Sequence, residues 1–486
     1  MQLPVFPFRK RVIVRILFWG ALIAAALWFR PDRALRTATG MAAHDLCSET
    51  FVAGVPPEKT WRESILPRPG MRWLTWAMRY QIDREHREAT SSLLGLLSSR
   101  AIHRPRWGCV LVHADERVAD PPAARVGDVV AHDILQAPSG LVSTPTPALG
   151  IVLDNAFAET ATPPHRGTRA VVIVRDGRIV AERYAQGDDI DTPLLGFSMT
   201  KSVVNALVGI LVRQHRLDVK APAPIRAWHG AGDPRAAITL EQLMRMETGL
   251  ALDETGSGFD PSNQMFYDEA DMAVYAAGAE SIAPPGTRWF YSSASTHLVA
   301  RIVRDAVGGD GASVQAFAQR ELFARIGMRR TVFEMDATGT PVGAHYLYAT
   351  ARDWARLGQL YLDDGVVDGQ RLLPAGWPRW SSEPTLGTDY GAGWWANRGP
   401  DEAAVHRRSV GIPEDAFFAM GNLGQRIAVV PSERLVVVRM ARAHLQYGDA
   451  AGFERLVAGT IAALHAGDRR GTSAMNAMNT ANVATR

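Results

Sequence analysis

A serine and a lysine stand three residues apart in the segment 196–205, GFSMTKSVVN. Residues i and i+3 of a helix share one face, so Lys201 could take the proton of Ser198 if burial lowers the pKa of its amine. In a first helical turn, Ser198 would also present its backbone N–H where an oxyanion is stabilised. The alternative is a serine that caps the helix beside a lysine whose amine reaches water.

The scarcity of lysine favours the catalytic interpretation. The chain has only Lys10, Lys59, Lys201 and Lys220, and every other side chain with a permanent positive charge is arginine. A lysine amine can lose its proton when it is desolvated, whereas an arginine guanidinium effectively cannot. A lysine near the start of an apolar helix is also costly to bury without a role.

Two later segments offer partners for this pair. The segment 285–295, PGTRWFYSSAS, places Tyr291 after a Pro-Gly turn and before a helix, where its hydroxyl could move a proton in concert with Lys201. The segment 420–432, MGNLGQRIAVVPS, places Gly421 and Gly424 at the entry to a strand, where glycine allows a backbone to approach a ligand closely. Taken alone, Tyr291 would be a core aromatic and the glycines would be hairpin residues.

The order SMTK, YSS and a glycine-containing strand entry resembles the serine β-lactamase and penicillin-binding-protein superfamily. The similarity is greatest to its class C-like branch, which includes esterases, D-aminopeptidases and 6-aminohexanoate-dimer hydrolases. It extends over about 169–465 and includes the phrases ITLEQLMRMETGL, PPGTRWFYSSAST and YGAGWWANR. The resemblance implies an α+β fold in which helices flank an antiparallel sheet beside a mostly helical lobe.

The resemblance also implies roles for individual residues. Ser198 would be the acylated nucleophile, Lys201 its base and Tyr291 the second proton-transfer residue. The backbone N–H of Asn422, after Gly421, would be the second oxyanion donor, and Ser293 falls where class C enzymes have asparagine. His345, just before the segment YATARDW, is a candidate lining residue, with a structural histidine as the alternative.

The third motif departs from the family pattern. Class C enzymes carry Lys-Thr-Gly, or His-x-Gly in some esterases, whereas Ala419 and Met420 precede Gly421 here. The missing cation argues against a β-lactam substrate, so the implied function is a serine hydrolase that cleaves an ester or amide. The alternatives are a β-lactamase or D-peptide carboxypeptidase or aminopeptidase, and an inactive binding or sensor protein of the same fold.

The charge and the cysteine content limit the partners, cofactors and disulfides that can be expected. A net charge of +3 without a dense basic cluster after the N-terminus gives no indication of nucleic-acid binding. Cys47 and Cys109 are too few for a disulfide scaffold, and no cysteine–histidine cluster indicates a metal. We expect no metal or cofactor, a small-molecule substrate, and a Cys47–Cys109 disulfide if the chain is exported, with two free thiols as the alternative.

The N-terminus predicts export. Residues 12–29 are apolar apart from Arg15 and follow the basic triplet RKR, the charge pattern of an export signal. We expect residues 1–35 to be an uncleaved signal anchor in the inner membrane, with the catalytic domain in the periplasm or outside the cell. The alternative is a buried hydrophobic helix.

Hydrophobic periodicity and the positions of turn and cap residues predict the remaining secondary structure and domain boundaries. Short strands are expected at 108–114 and 127–135. A hairpin turning at Asp176-Gly177 spans 169–185, a buried helix follows from Ser198, and a second strand pair spans 425–441. A helix capped by Thr239 and stopped by Gly249 is expected at 238–250, and further helices are expected at 295–308 and 349–365. The predicted units are an anchor at 1–35, an extension at 36–165, the hydrolase domain at 166–466 and a disordered tail at 467–486.

Overall fold

The computed structural model describes residues 31–112, 133–142 and 146–484, together with Arg15 and residues 17–19. The segment predicted to be a membrane anchor therefore lies largely outside the described residues, as does most of the strand expected at 127–135. Among the residues that are described, no helix combines the length and apolar character needed to cross a bilayer.

Runs of consecutive strands and runs of consecutive helices follow one another along the described chain. The strands are β1 (Met78–Asp83), β2 (Glu88–Leu93), β3 (Leu97–Arg104), β4 (Gly108–Val112), β5 (Thr168–Arg175), β6 (Arg178–Tyr184), β7 (Leu194–Leu195), β8 (Val332–Phe333), β9 (Leu347–Ala349), β10 (Val366–Val367), β11 (Gln370–Arg371), β12 (Trp395–Ala396), β13 (Phe417–Gly421), β14 (Gln425–Val430) and β15 (Leu435–Ala441). The α-helices are α1 (Pro31–Phe51), α2 (Pro57–Thr60), α3 (Met71–Leu74), α4 (Pro147–Phe157), α5 (Thr200–Arg213), α6 (Leu240–Arg245), α7 (Pro261–Asp268), α8 (Met272–Ala277), α9 (Ser293–Val307), α10 (Gly311–Ala318), α11 (Ala324–Ile326), α12 (Ala351–Leu362), α13 (Trp377–Ser381), α14 (Glu402–Ser409) and α15 (Ala450–Ala484).

The main sheet is antiparallel and has the strand order β12-β13-β14-β15-β5-β6. The two ends of the hydrolase segment meet in it, because β15 pairs with β5. The hairpin turn predicted at Asp176-Gly177 is confirmed: both residues have positive φ, 50° and 73°, as the two central residues of a type I′ turn require. Strands β5 and β15 lie in the middle of the sheet and are buried along almost their whole length, which explains their continuous apolar sequences.

The helices predicted within the hydrolase segment are present, with ends that differ by a few residues. Helix α5 is buried from Thr200 to Leu211. The predicted cap at Thr239 forms a capping box with Gln242, but α6 ends where Met246 adopts a left-handed conformation, before Gly249. Helix α12 is capped by Thr350, whose side chain accepts from the N–H of Asp353.

The extension folds into a helix packed on a small sheet, of which the sequence predicted only the strand at 108–114, present as β4. Strands β1 to β4 form an antiparallel sheet in sequence order, and α1 packs across it. A disulfide joins Cys47 of α1 to Cys109 of β4, with 6.0 Å between their Cα atoms. The predicted pairing of the two cysteines is therefore present in the structure.

The extension and the hydrolase segment share one hydrophobic core. Leu46 and Cys109 of the extension belong to the same buried cluster as Leu347 and Trp354. A polar contact crosses the boundary as well, because the buried Glu334 carboxylate accepts from the backbone N–H of Cys109 at 2.7 Å and from the Ser48 hydroxyl at 2.9 Å.

Helix α4 and the C-terminal tail differ from the expected organisation. Helix α4 falls within the predicted extension, yet its Leu149 and Leu153 pack with Val457 of α15 against the outer face of the main sheet. The tail predicted to be disordered, 467–486, is helical as far as Ala484, since α15 continues into it. That segment is rich in alanine and has no proline, a composition that permits helix even though it is polar.

Candidate active site

The segment around Ser198 is held in place by two glycines. Ser198 lies in a 3₁₀ turn, Phe197–Met199, that leads directly into α5. A Cβ atom on Gly196 would lie 2.2 Å from the Trp354 ring, and one on Gly421 would lie 2.2 Å from the carbonyl oxygen of Gly196. Both positions require glycine, because real Cβ atoms do not approach other atoms this closely. The end of β13 is thereby brought against the backbone that carries Ser198.

Lys201 reaches Ser198 from the next helical turn. Its Nζ lies 3.0 Å from the Oγ of Ser198, 3.0 Å from the Oγ of Ser293 and 3.0 Å from the carbonyl oxygen of Ala344. The side chain is buried, and burial lowers the pKa of the amine to about 8. A free amine fits these contacts, because two N–H groups can donate to Ser293 and Ala344 while the lone pair accepts the Ser198 hydroxyl proton.

Tyr291 completes the cluster from the segment before α9. Its hydroxyl lies near the Ser198 side chain, which acts on the pKa of the phenol, and the Nζ of Lys201 lies 4.8 Å from the centroid of its ring. The ring stacks on Trp395 and meets Tyr390 edge-on, which fixes its orientation. Burial, followed by the neighbouring Tyr390 and Glu254, raises the pKa of Tyr291 well above its ordinary value of 10. The phenol is therefore protonated at neutral pH.

Glu254 belongs to this cluster and was not singled out from the sequence. Its carboxylate accepts from the backbone N–H of Ser293 at 2.8 Å, and its own N–H donates to the carbonyl oxygen of Tyr291 at 3.1 Å. The carboxylate charge also raises the pKa of Lys201, in opposition to burial. The sequence signal that could have indicated it is the polar, glycine-containing segment 253–269, DETGSGFDPSNQMFYDE, which lies between two predicted helices.

The strand entry expected to provide an oxyanion donor lies beside Ser198. Gly421 ends β13, and Asn422 follows it on the exposed side of the cleft. Arg426 of β14 is paired with Met420 in the sheet, and it also lines the cleft. The guanidinium of Arg426 donates to the backbone carbonyls of Gly421, Gln425 and Tyr447, so its hydrogen bonds stabilise the strand entry.

His345 lines the cleft, which is the first of the two alternatives for this residue, the second being a structural histidine. Its ring contacts Phe197, Phe266 and Tyr346 at centroid distances of 4.9, 5.2 and 4.5 Å. Burial and the nearby Lys201 hold the pKa of this imidazole well below its ordinary value. Its Nε2 atom is buried without a hydrogen-bond partner among the described residues, so the ring is neutral and packed rather than ion-paired.

The cluster opens into a cleft of about 1400 Å³. Ser198, Tyr291, His345, Gly421 and Asn422 line it, while Lys201 and Ser293 lie buried behind its surface. The remaining walls come from the loop at 253–269, from the segment around α14 and from the extension. Within the described part of the chain, no group of three or more histidine, cysteine, aspartate or glutamate side chains could hold a metal ion.

Comparison with known proteins places this geometry in a family. The family model described as Beta-lactamase matches residues 153–458, more than half of the chain. The 6-aminohexanoate-dimer hydrolase of Paenarthrobacter ureafaciens is 27% identical over 224 residues, which cover 43% of this chain and 56% of that relative, so the match spans little more than half of the relative's length.

Solved structures of low identity share the fold. A putative 6-aminohexanoate-dimer hydrolase from Bacillus anthracis superposes with a TM-score of 0.54 at 20% identity, over 70% of this chain and 91% of that one. A penicillin-binding-protein homologue from Caulobacter crescentus superposes with a TM-score of 0.51 at 17% identity, over 67% of this chain and all of that one. The resemblance read from the motifs is confirmed, and the chain belongs to the beta-lactamase family of serine hydrolases.

Proposed function

We propose that this enzyme hydrolyses an ester or amide through an acyl-enzyme formed on Ser198. The observation that carries the proposal is the contact between Lys201 Nζ and Ser198 Oγ at 3.0 Å, with the Tyr291 side chain close to both residues. A nucleophile within hydrogen-bond reach of a base whose pKa is near neutrality is the arrangement that acyl transfer needs.

Acylation follows from these positions. Lys201 takes the proton of Ser198, and the Oγ atom attacks the substrate carbonyl carbon to form a tetrahedral oxyanion. The backbone N–H groups of Ser198 and Asn422 donate to that oxygen. When the bond to the leaving group breaks, Tyr291 protonates the departing oxygen or nitrogen and is reprotonated by the Lys201 ammonium.

Deacylation reverses the same proton path. Water attacks the ester carbon of the acylated Ser198, and its proton passes through Tyr291 to Lys201. Collapse of the second tetrahedral oxyanion expels the Ser198 oxygen, which recovers its proton from Lys201. Because the pKa of Tyr291 is raised and that of Lys201 is lowered, the lysine is the base and the tyrosine is the proton carrier.

The direct test is the variant Ser198→Ala assayed with p-nitrophenyl acetate. We expect hydrolysis to be abolished and a fluorophosphonate adduct, located by mass spectrometry, to be lost from the peptide containing residue 198. The exposed Ser257→Ala is the matched control and should retain both. Full activity of Ser198→Ala would contradict the proposal. A wild-type protein that neither turns over the ester nor becomes labelled would favour a binding protein. Turnover of nitrocefin would extend the substrate class to β-lactams.

We propose further that the catalytic domain works in the periplasm or outside the cell, held at the inner membrane by residues 12–29. The disulfide between Cys47 and Cys109 supports this location, since disulfides persist in oxidising compartments. Protease added to intact spheroplasts should degrade the domain, and protection until the membrane is lysed would contradict this location.

A further inference from the structure

One wall of the cleft is formed by the extension and is largely apolar. Ala34, Ala38 and Met41 of α1 all line the cleft. Their spacing of four and then three residues places them on one helical face. Met71 and Leu74, three residues apart in α3, line it too. The two small alanines leave room beside the larger side chains.

Aromatic side chains line the cleft next to this wall. Phe259 and Phe266, from the loop at 253–269 and from α7, line the same cleft. Helices α1 and α7 approach closely at Gly40, where a Cβ atom would lie 2.9 Å from the carbonyl oxygen of Tyr267. The apolar face of α1 and the two phenylalanines therefore belong to one contiguous region of the cleft.

A buried polar network ties this wall to the hydrolase domain. The Asp45 carboxylate of α1 accepts from the Arg68 guanidinium at 2.6 Å and from the Tyr346 hydroxyl at 3.3 Å. The Tyr346 and Tyr267 hydroxyls are 2.8 Å apart. Tyr346 is also in ring contact with His345, which lines the cleft. The charge of Arg68, the cation of this wall, is thus paired with Asp45 and the wall is fixed in position.

We propose that the face of α1 and the α3 segment form a binding site for an apolar group of the substrate, an alkyl chain or aryl ring of several carbons. This inference rests on the proposed ester or amide hydrolysis at Ser198 and assigns its selectivity to the extension. Apolar area removed from water favours binding by about threefold to fourfold in affinity for each buried methylene. The site therefore favours substrates with a long apolar arm over short ones.

A chain-length series of p-nitrophenyl esters, from acetate to octanoate, tests the site. The wild-type protein should show kcat/KM rising with chain length. Ala38→Phe places a ring on the face of α1 that lines the cleft, and we expect it to lower the octanoate-to-acetate ratio of kcat/KM at least tenfold while acetate changes less than threefold. Val274→Phe, which adds the same ring at an exposed position away from the cleft, is the control and should leave the ratio unchanged.

A second variant covers the case in which Ala38→Phe does not fold. Leu74 is only half-buried, and Leu74→Ser should lower the same ratio about fivefold with an unaltered melting temperature. Turnover of acetate with an unchanged ratio in the folded variants would overturn the apolar site while the hydrolase function stands. Absence of turnover of every ester, together with no fluorophosphonate adduct on Ser198, would overturn both.

Discussion

Two regions meet at the same cleft but are built in different ways. One is the cluster of Ser198, Lys201, Tyr291 and Ser293, and the other is the apolar wall that α1 and α3 of the extension contribute. Ser198, Lys201 and Ser293 are joined by hydrogen bonds of 3.0 Å, and Lys201 and Ser293 are almost completely buried. The wall exposes alanine and methionine side chains to the cleft. The hydrogen bond between Arg68 and Asp45 that holds the wall in place is made by a buried carboxylate. The cluster thus depends on individual atoms and protons, whereas the wall depends on shape and apolar area.

This difference separates two kinds of dependence on mutation. A change in the cluster should lower turnover of every substrate, because it acts on the reacting atoms. A change in the wall should alter the order of preference among substrates while chemistry on a small ester continues. The following variants sharpen or break that separation, beginning with the largest expected effect.

Replacing Lys201 by methionine should have the greatest effect. The variant retains the length of the side chain but has no base, and we expect kcat/KM to fall roughly 1000-fold for acetate and octanoate esters alike. Lys220→Met, at an exposed position, is the control and should behave as wild type. A loss confined to the long ester would break the separation between cluster and wall.

Gly421→Ala should be the next most damaging change. The added methyl group would meet the carbonyl oxygen of Gly196, so β13 must move away from Ser198 and take the Asn422 N–H with it. Loss of one oxyanion donor costs about 100-fold to 1000-fold in kcat, and we expect a decrease at the lower end of that range. Gly230→Ala, where the added methyl group meets nothing within 4 Å, should retain full activity.

Removing the disulfide by Cys47→Ser together with Cys109→Ser should affect the wall far more than the cluster. The bond closes a separation of 62 residues, and its loss should lower the free energy of unfolding by about 4 kcal/mol, seen as a lower melting temperature. We expect acetate turnover at 25 °C to stay within threefold of wild type and the preference for octanoate to weaken. An equal loss for both esters would show that the wall also supports the catalytic cluster.

The smallest effect concerns pH. The free amine of Lys201 is the active form, so kcat/KM should decrease about tenfold per pH unit below its pKa of about 8 and level off above it. Because the charge of Glu254 raises that pKa, Glu254→Gln should shift the acid limb to lower pH. A full pH profile of kcat/KM for both proteins, with Glu280→Gln as a control variant, measures the shift. A displacement to higher pH would contradict the assignment of Lys201 as base.

Features specified by neighbouring residues were predictable from the sequence. The Asp176-Gly177 turn and the capping box at Thr239 each depend on a few adjacent positions. The Ser198–Lys201 pair is likewise local, since a helix brings residues three apart together. Ser293 and the Gly421 entry required a family resemblance, because nothing near them in sequence indicates that they face Ser198.

Apart from the disulfide and the residues that the family resemblance supplied, features that depend on distant partners were not predictable. Helix α1 buries Ser48 and Glu49, although serine and glutamate side chains are mostly exposed in proteins. The hydrogen-bond partner of Ser48 is Glu334, 286 residues away. Without knowledge of that partner, α1 has no clear apolar stripe from which to predict its orientation. The role of Glu254 was missed for the same reason, since its contact with Ser293 spans 39 residues through a loop.

The shared core of the extension and the hydrolase segment has a consequence for any attempt to separate the two by truncation. Leu46 and Cys109 belong to the same buried cluster as Leu347 and Trp354, so residues 153–458 taken alone would present a bare apolar surface to water. The extension is therefore not an interchangeable module that can be cut off or grafted onto a relative.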